Sequence, residues 1–400
     1  MKRLWQFFTS LRLTIFLLGS SVLLVFFGTL DQASDGIYLT QKRYFEHFFV
    51  VYEAGGLHLP MPGGYLLGPL LILNLLAAHF RYYRAGWRKL GIAALHIGVI
   101  LLLVGQLLTQ VSQRESFMWL AEGEASNYLE SFHYDELVVV DRSAPGGERV
   151  VSWPEAAFKR TGNTLQHPTL PFTLRIVAYA HNAAISPREG MPQGPDFNLT
   201  QGIGADRDFT MLPLSPTYAD GERNRKTAIV EIMTSEGSLG RWMVSNVFRE
   251  KQPVSLPLPA QTFEYAGTEY EIALRFQRHY LPAHLHLLDF QHDRYPGTEI
   301  PHNFSSEIAI LDPTTENART TLIYMNNPMR YAGWTFYQAS FAENDTMSMF
   351  QVVRNPARWF PYLASAVITA GMLYQFIFSL VLYAGRRRPA PAPATSAHPA

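Results

Sequence analysis

Two histidines stand inside apolar runs of this 400-residue chain, His79 in Leu59–Phe80 and His96 in Leu90–Val111. A neutral imidazole offers one lone-pair nitrogen, and a polar side chain within hydrocarbon is costly enough to be a functional candidate. At about 1.5 Å per residue, each run is long enough to cross a hydrocarbon core about 30 Å thick. A short link joins the runs, which makes them antiparallel neighbours. The histidines then fall roughly 3–11 Å from the membrane edge at the link, His96 the deeper. Two imidazoles so placed suit the ligation of a metal such as a haem iron, or a pairing of each with a partner subunit. The residues leave a plainer alternative open: a ring hydrogen-bonded to a backbone carbonyl or to Asn74. His96 is the stronger ligand candidate, because Ala93–Leu103 around it is otherwise apolar. His79 can snorkel toward the interface with Arg81.

A second group, His279, His284, His286, His292 and His302, lies in the polar part of the chain. His284 and His286 alternate as on one strand face, which suits a metal. With no third ligand at tight spacing, the group reads as surface and packing residues. No catalytic residue is assigned. The chain has no GxSxG, P-loop, HExxH or dinucleotide fingerprint, and no serine or carboxylate is paired with a base at diagnostic spacing.

The elements that must hold the histidines are apolar runs at Leu13–Leu30, Leu59–Phe80, Leu90–Val111 and Trp359–Ala384. The expected fold class is an α-helical membrane protein with four transmembrane helices and a large β-rich domain, sandwich or barrel-like. Its divisions are a three-helix region over 1–111, a β-rich domain over 112–358, a fourth span over 359–384 and a disordered tail over 385–400. The flanks Lys2, Arg3 and Arg12, then Arg81, Arg84, Arg88 and Lys89, then Arg386–Arg388, must share one side. All are basic, so the positive-inside rule makes the termini cytoplasmic and the large domain extracytoplasmic. A cleaved signal peptide is the rival for the first run. That run is longer than an h-region and lacks a small-x-small ending.

Tyr44, Phe45, Phe48, Phe49 and Tyr52 have the spacing of one helical face, predicting an interfacial helix or a lid at the outer surface. In the large domain, Glu136–Val140, Phe172–Tyr179, Thr227–Thr234, Gly240–Val247 and Glu269–Phe276 read as strands rich in Val, Ile, Thr and aromatics. Ala144–Glu148 and Pro296-Gly297 read as turns, and Pro389–Ala400 as low-complexity sequence. The chain has 33 basic and 33 acidic residues and no cysteine. Balanced charge gives no reason to expect a nucleic acid partner. The lack of cysteine excludes disulfides, thiolate metal sites and covalent haem attachment to this chain.

From Leu287 the chain reads LLDFQHDRYPGTEIPHNFSSEIAILDP and, shortly after, TLIYMNNPMRYAGWTFYQASF. This resembles the segment before the last span of the ResB family of cytochrome c biogenesis proteins (System II, ResB/CcsB). The closing motif is carried by Asn326, Pro328, Tyr331, Gly333, Phe336, Tyr337, Gln338 and Phe341. Gly28-Thr29-Leu30 resembles the family's GTL-x-x-Q element, with Gln32 one residue early. Met118–Glu124 resembles its glycine-glutamate strand, and Leu95–Gly98 the histidine-bearing start of its third span.

The resemblance implies a bacterial inner-membrane subunit that handles haem b transiently and without covalent attachment. It implies a CcsA/ResC-type partner, an apocytochrome c client, and a haem ligand at His96; His79 has no support from the family pattern. Because cysteine is absent, a separate thiol-reducing protein would have to serve the client. A non-haem-binding assembly subunit is the alternative.

Overall fold

The structure is a computed structural model that describes residues 2–54, 56–82, 86–144, 147–217, 224–248, 258–298, 301–313, 318–342 and 346–386. Arg84, Arg387, Arg388, the Pro389–Ala400 tail, and Pro145 and Gly146 of one expected turn lie outside the described residues. The chain divides into two compact units, Met1–Gln113 with Asn355–Ala400, and Arg114–Arg354.

In the first unit, four helices are long and apolar enough to cross a membrane. They are Leu11–Phe45, Gly64–Tyr82, Leu90–Ser112 and Phe360–Arg386. Phe16, Val22, Leu73 and Phe376 are exposed on their faces, as expected of helices solvated by hydrocarbon. The first helix runs beyond the apolar stretch and breaks at Gly36, where φ is 76° and ψ 164°. After the break, Tyr44 is fully buried, and its hydroxyl donates to Asp31 Oδ2 at 2.5 Å.

The expected interfacial helix over Tyr44–Tyr52 is therefore corrected. Tyr44 and Phe45 end the first helix, whereas Phe49 and Tyr52 lie on a hairpin, Phe49–Ala54 with Leu57–Pro62. That hairpin also takes the start of the apolar run Leu59–Phe80, and the second helix begins only at Gly64. Pro60 and Pro62 lack the N–H a helix needs, which apolarity alone does not reveal.

The third helix packs on the fourth through Gly91, Gly98 and Gly105. A Cβ at Gly98 would lie 2.3 Å from Ile368 Cγ1, and one at Gly91 2.6 Å from the Gly371 carbonyl. The missing side chains let the backbones approach, as small residues do between helices in membranes.

The second unit is β-rich. Among the described residues its largest sheet has ten strands. The path of eight runs Arg319–Tyr324, Pro301–Leu311, Thr268–Arg294, Ala125–Asp141, Arg114–Ala121, Met347–Arg354, Trp334–Ala342, Met329–Tyr331, and off it Gln261–Tyr265 pairs with Thr268–Arg294 and Arg149–Pro154 with Ala125–Asp141. Neighbours along it are antiparallel.

The strand Thr268–Arg294 serves two cores with its two halves, each through every second side chain. Tyr270, Ile272 and Leu274 face a core shared with Leu174, Ile176, Val230 and Trp242 of a four-stranded sheet. Leu281, Ala283, Leu285 and Leu287 face another core, with Met118, Ile308, Phe336 and Phe350. Pro282 falls where the register shifts between Tyr280 and Leu285, a place where its missing N–H breaks no ladder. One half is thus sandwich-like and the other curls toward a barrel. Thr227–Thr234 forms as expected, while Gly240–Val247 is shifted to Gly237–Ser245.

Candidate functional site

The glycine stripe of the third helix decides which way His96 looks. At 3.6 residues per turn, His96 stands about 160° around the helix from Gly98. It therefore faces away from the fourth helix and toward the second. There its ring centroid lies 5.9 Å from that of His79, with the planes tilted by 52°. The two histidines, inferred separately from the apolar runs, share one place.

His96 Nδ1 lies 2.8 Å from the Ile92 carbonyl oxygen. A carbonyl has no proton to give, so Nδ1 must carry the hydrogen and Nε2 the lone pair. That tautomer presents Nε2 to a metal, and a second hydrogen bond of this kind orients ligating imidazoles. The donor set thus fits one axial position of a haem iron. Of the two plainer partners expected for a ring, His96 takes a backbone carbonyl, whereas Asn74 is engaged elsewhere: its Nδ2 donates to Phe8 O at 2.8 Å, and its Oδ1 accepts from Thr14 Oγ1 at 2.7 Å. Arg81, expected to accompany His79 outward, donates to Thr9 Oγ1.

The closing motif does a different job. Asn326, at φ 64°, sits in the left-handed region before Pro328. Ala332 and Gly333, at φ 48° and 81°, form the two-residue turn between Met329–Tyr331 and Trp334–Ala342. Positive φ at both positions matches the strand twist of a tight hairpin. Phe336 is fully buried, Tyr337 is exposed, and Tyr331 donates its hydroxyl to Asp312 at 3.4 Å.

Gln338 closes a ring of side chains. Ser306 Oγ is 2.7 Å from Gln338 Oε1, Gln338 Nε2 is 2.9 Å from Ser348 Oγ, and the two hydroxyls are 3.0 Å apart. Gln338 Oε1 only accepts, so Ser306 donates to it, and Ser348 must then donate to Ser306. Each group gives and takes one hydrogen bond. Ser306 and Gln338 belong to strands far apart along the sheet path, so the ring ties the curled ends together.

The other motif pieces are also architectural. Gly28 packs beside the returning segment, where an added Cβ would make ordinary contact with the Tyr44 ring at 3.5 Å, and Thr29 bonds the Val25 carbonyl at 2.8 Å. Met118–Glu124 ends a strand and turns at Gly123, where φ is 78°. Pro296-Gly297 is a tight turn, with Thr298 N donating to Tyr295 O at 3.0 Å. His284 and His286 share a strand opposite Leu311 and Ala309. His292 packs on Phe341 with ring centroids 4.3 Å apart, and His302 on Tyr295 at 4.7 Å. Among the described residues no three His, Cys, Asp or Glu side chains gather as a metal site.

Sequence spacing gave no sign of a buried charge cluster in the β-rich unit. Lys226 Nζ lies 2.5 Å from Asp135 Oδ2, 2.7 Å from Glu155 Oε2 and 3.0 Å from the His133 carbonyl. Burial lowers the affinity of Lys226 for its proton, but the two carboxylates outweigh it and the pKa is raised. Burial pushes Glu155 up, yet hydrogen bonds from His181 and Lys226 hold it down at about 2. The bonded partners are 26 to 93 positions apart in sequence, so only the folded chain brings them together.

A glycine-packed set of apolar helices and a curled antiparallel sheet closed by a buried polar ring define a membrane protein with a large β domain. Residues 260–349, which take in the sheet strands from Gln261 to Met349, match the model of the ResB-like family, and that segment is ResB-like in sequence. It is also 24% identical over 319 residues to Protein NrfI of Wolinella succinogenes. That alignment takes in 78% of this chain and 30% of the relative, so the chain spans about a third of that protein's length.

Proposed function

We propose that this chain is a membrane subunit of System II cytochrome c maturation, which helps haem b pass from the inner to the outer face of a bacterial inner membrane. It would act with a CcsA/ResC-type partner that completes attachment to apocytochrome c. The observation that carries the reading is His96: its Nδ1–H is held by the Ile92 carbonyl and its Nε2 lone pair is left for iron, beside His79. The basic flanks support an orientation with this pair nearer the cytoplasmic side and the β domain outside. His96 would bind the incoming haem as one axial ligand. The second ligand and the thioether chemistry would come from the partner, and a thiol-reducing protein would keep the client's cysteines reduced. The alternative is an assembly subunit that binds no haem, in which the Ile92 bond holds His96 as a structural residue.

The visible spectrum separates these two readings. The chain is purified alone and with its partner, and the Soret band is recorded for wild type and His96→Gly, with and without added imidazole. Haem handling predicts a band that His96→Gly diminishes and imidazole restores. An unchanged haem content in the His96→Gly complex would remove His96 as a ligand.

A further inference from the structure

A cavity of about 540 Å³ opens among the first three long helices, at the end opposite the histidines. Val25, Ile37, Phe45, Ile72, Leu103 and Leu107 form its apolar walls. Gln32, Thr40, Gln41, Gln106 and Gln110 add amides and a hydroxyl. Its size falls within the range of small-molecule sites, and its character, apolar with a few convergent polar groups, is theirs as well.

Two lining groups have no partner among the described residues: Thr40 Oγ1 and Gln110 Nε2 are buried and make no hydrogen bond. Thr40 is only 5% exposed. A buried donor left unpaired is costly, so such groups mark a place where something else binds. Among the described residues no Lys, Arg, His, Asp or Glu lines the cavity. A charged head, such as a haem propionate, would be buried there without a counter-ion, which is unfavourable.

We infer that this cavity binds a neutral amphiphile from the bilayer, whose carbonyl oxygen accepts hydrogen bonds from Gln110 and Thr40 while its apolar body lies along Leu103, Leu107 and Ile72. Isoprenoid quinones and the ester groups of uncharged glycerolipids share that chemistry. The inference does not rest on haem handling. It uses the segment after Gly36 as the wall of a site, since Ile37, Thr40, Gln41 and Phe45 all line it.

Gly68 supplies the test. It lines the cavity, and a Cβ added there meets no atom within 4 Å. Gly68→Leu fills the space, whereas Gly68→Ala leaves most of it. The full chain in nanodiscs is irradiated with a diazirine-bearing short-chain benzoquinone or, in a second arm, a diazirine-bearing diacylglycerol, and labelled peptides are mapped by mass spectrometry. Labelling should concentrate on residues 25–45, 64–72 and 103–110. It should fall at least about fivefold in Gly68→Leu and about five- to tenfold in Gln110→Leu or Thr40→Val, the loss of one buried hydrogen bond. Gly68→Ala should label as wild type does.

Labelling only by the quinone names that source, and labelling only by the diacylglycerol names the lipid ester. The inference is overturned if labelling is spread evenly over the lipid-facing helix surfaces. It is equally overturned if none of the three variants changes it, or if crosslinks run to a second protein chain instead. Should Gly68→Leu fail to fold, Gln110→Leu and Thr40→Val carry the same decision.

Discussion

Replacing Gln338 by Leu removes two of the three bonds in the ring that closes the sheet and keeps the bulk of the side chain. Ser306 loses its acceptor at 2.7 Å and Ser348 its donor at 2.9 Å, while the hydroxyl pair at 3.0 Å survives. Both serines are fully buried, so no water replaces what is lost. Two net bonds at about 1 kcal/mol each, plus a stranded Ser306 proton, total about 2–4 kcal/mol. For a domain the size of Arg114–Arg354, a loss of about 3 kcal/mol lowers the unfolding midpoint by about 6–12 °C.

The measurement is thermal or urea unfolding of the full chain in detergent, followed by tryptophan fluorescence, since Trp334 lies in the same core. The ring also predicts non-additivity. Gln338→Leu combined with Ser306→Ala and Ser348→Ala leaves no polar group stranded, so it should recover about 1–2 kcal/mol relative to the sum of the single losses. A Gln338→Leu protein of wild-type stability that nonetheless fails in cytochrome maturation would refute the reasoning. The motif glutamine would then act in recognition or chemistry and not in architecture.

Three further outcomes follow from the β-rich unit. Lys226→Ala leaves Asp135, whose side chain is 1% exposed, as an uncompensated buried charge; unfolding should show a loss of about 3–5 kcal/mol, partly restored by adding Asp135→Asn. Glu155 is held at about 2, against about 4.3 in an unfolded chain, so its contribution is complete above about pH 4.3 and disappears as pH falls toward 2. Glu155→Gln should flatten the urea midpoint over that window, and an unchanged slope would show that the cluster is not linked to folding. Gly333→Val places a β-branched residue at φ 81°, and calorimetry should find it less stable by at least about 1–2 kcal/mol.

The amino-acid sequence by itself determined the four apolar helices, the β-rich domain and the two histidines, because hydrocarbon length, strand composition and the cost of an intramembrane imidazole act locally. It also carried the ResB-like pattern in the Leu287–Phe341 segment. It misplaced the start of the second helix and the aromatic segment over Tyr44–Tyr52, where prolines and a single positive-φ glycine override apolarity. What only the tertiary structure decided depends on groups distant along the chain. The glycine stripe turns His96 toward His79, the Ile92 carbonyl chooses its tautomer, and strand pairing brings Ser306, Gln338 and Ser348 into one ring. The unpaired hydroxyl of Thr40 and amide of Gln110 meet in one cavity for the same reason. Hydrogen-bond satisfaction is a property of three-dimensional neighbours, and residue spacing along a chain does not encode it.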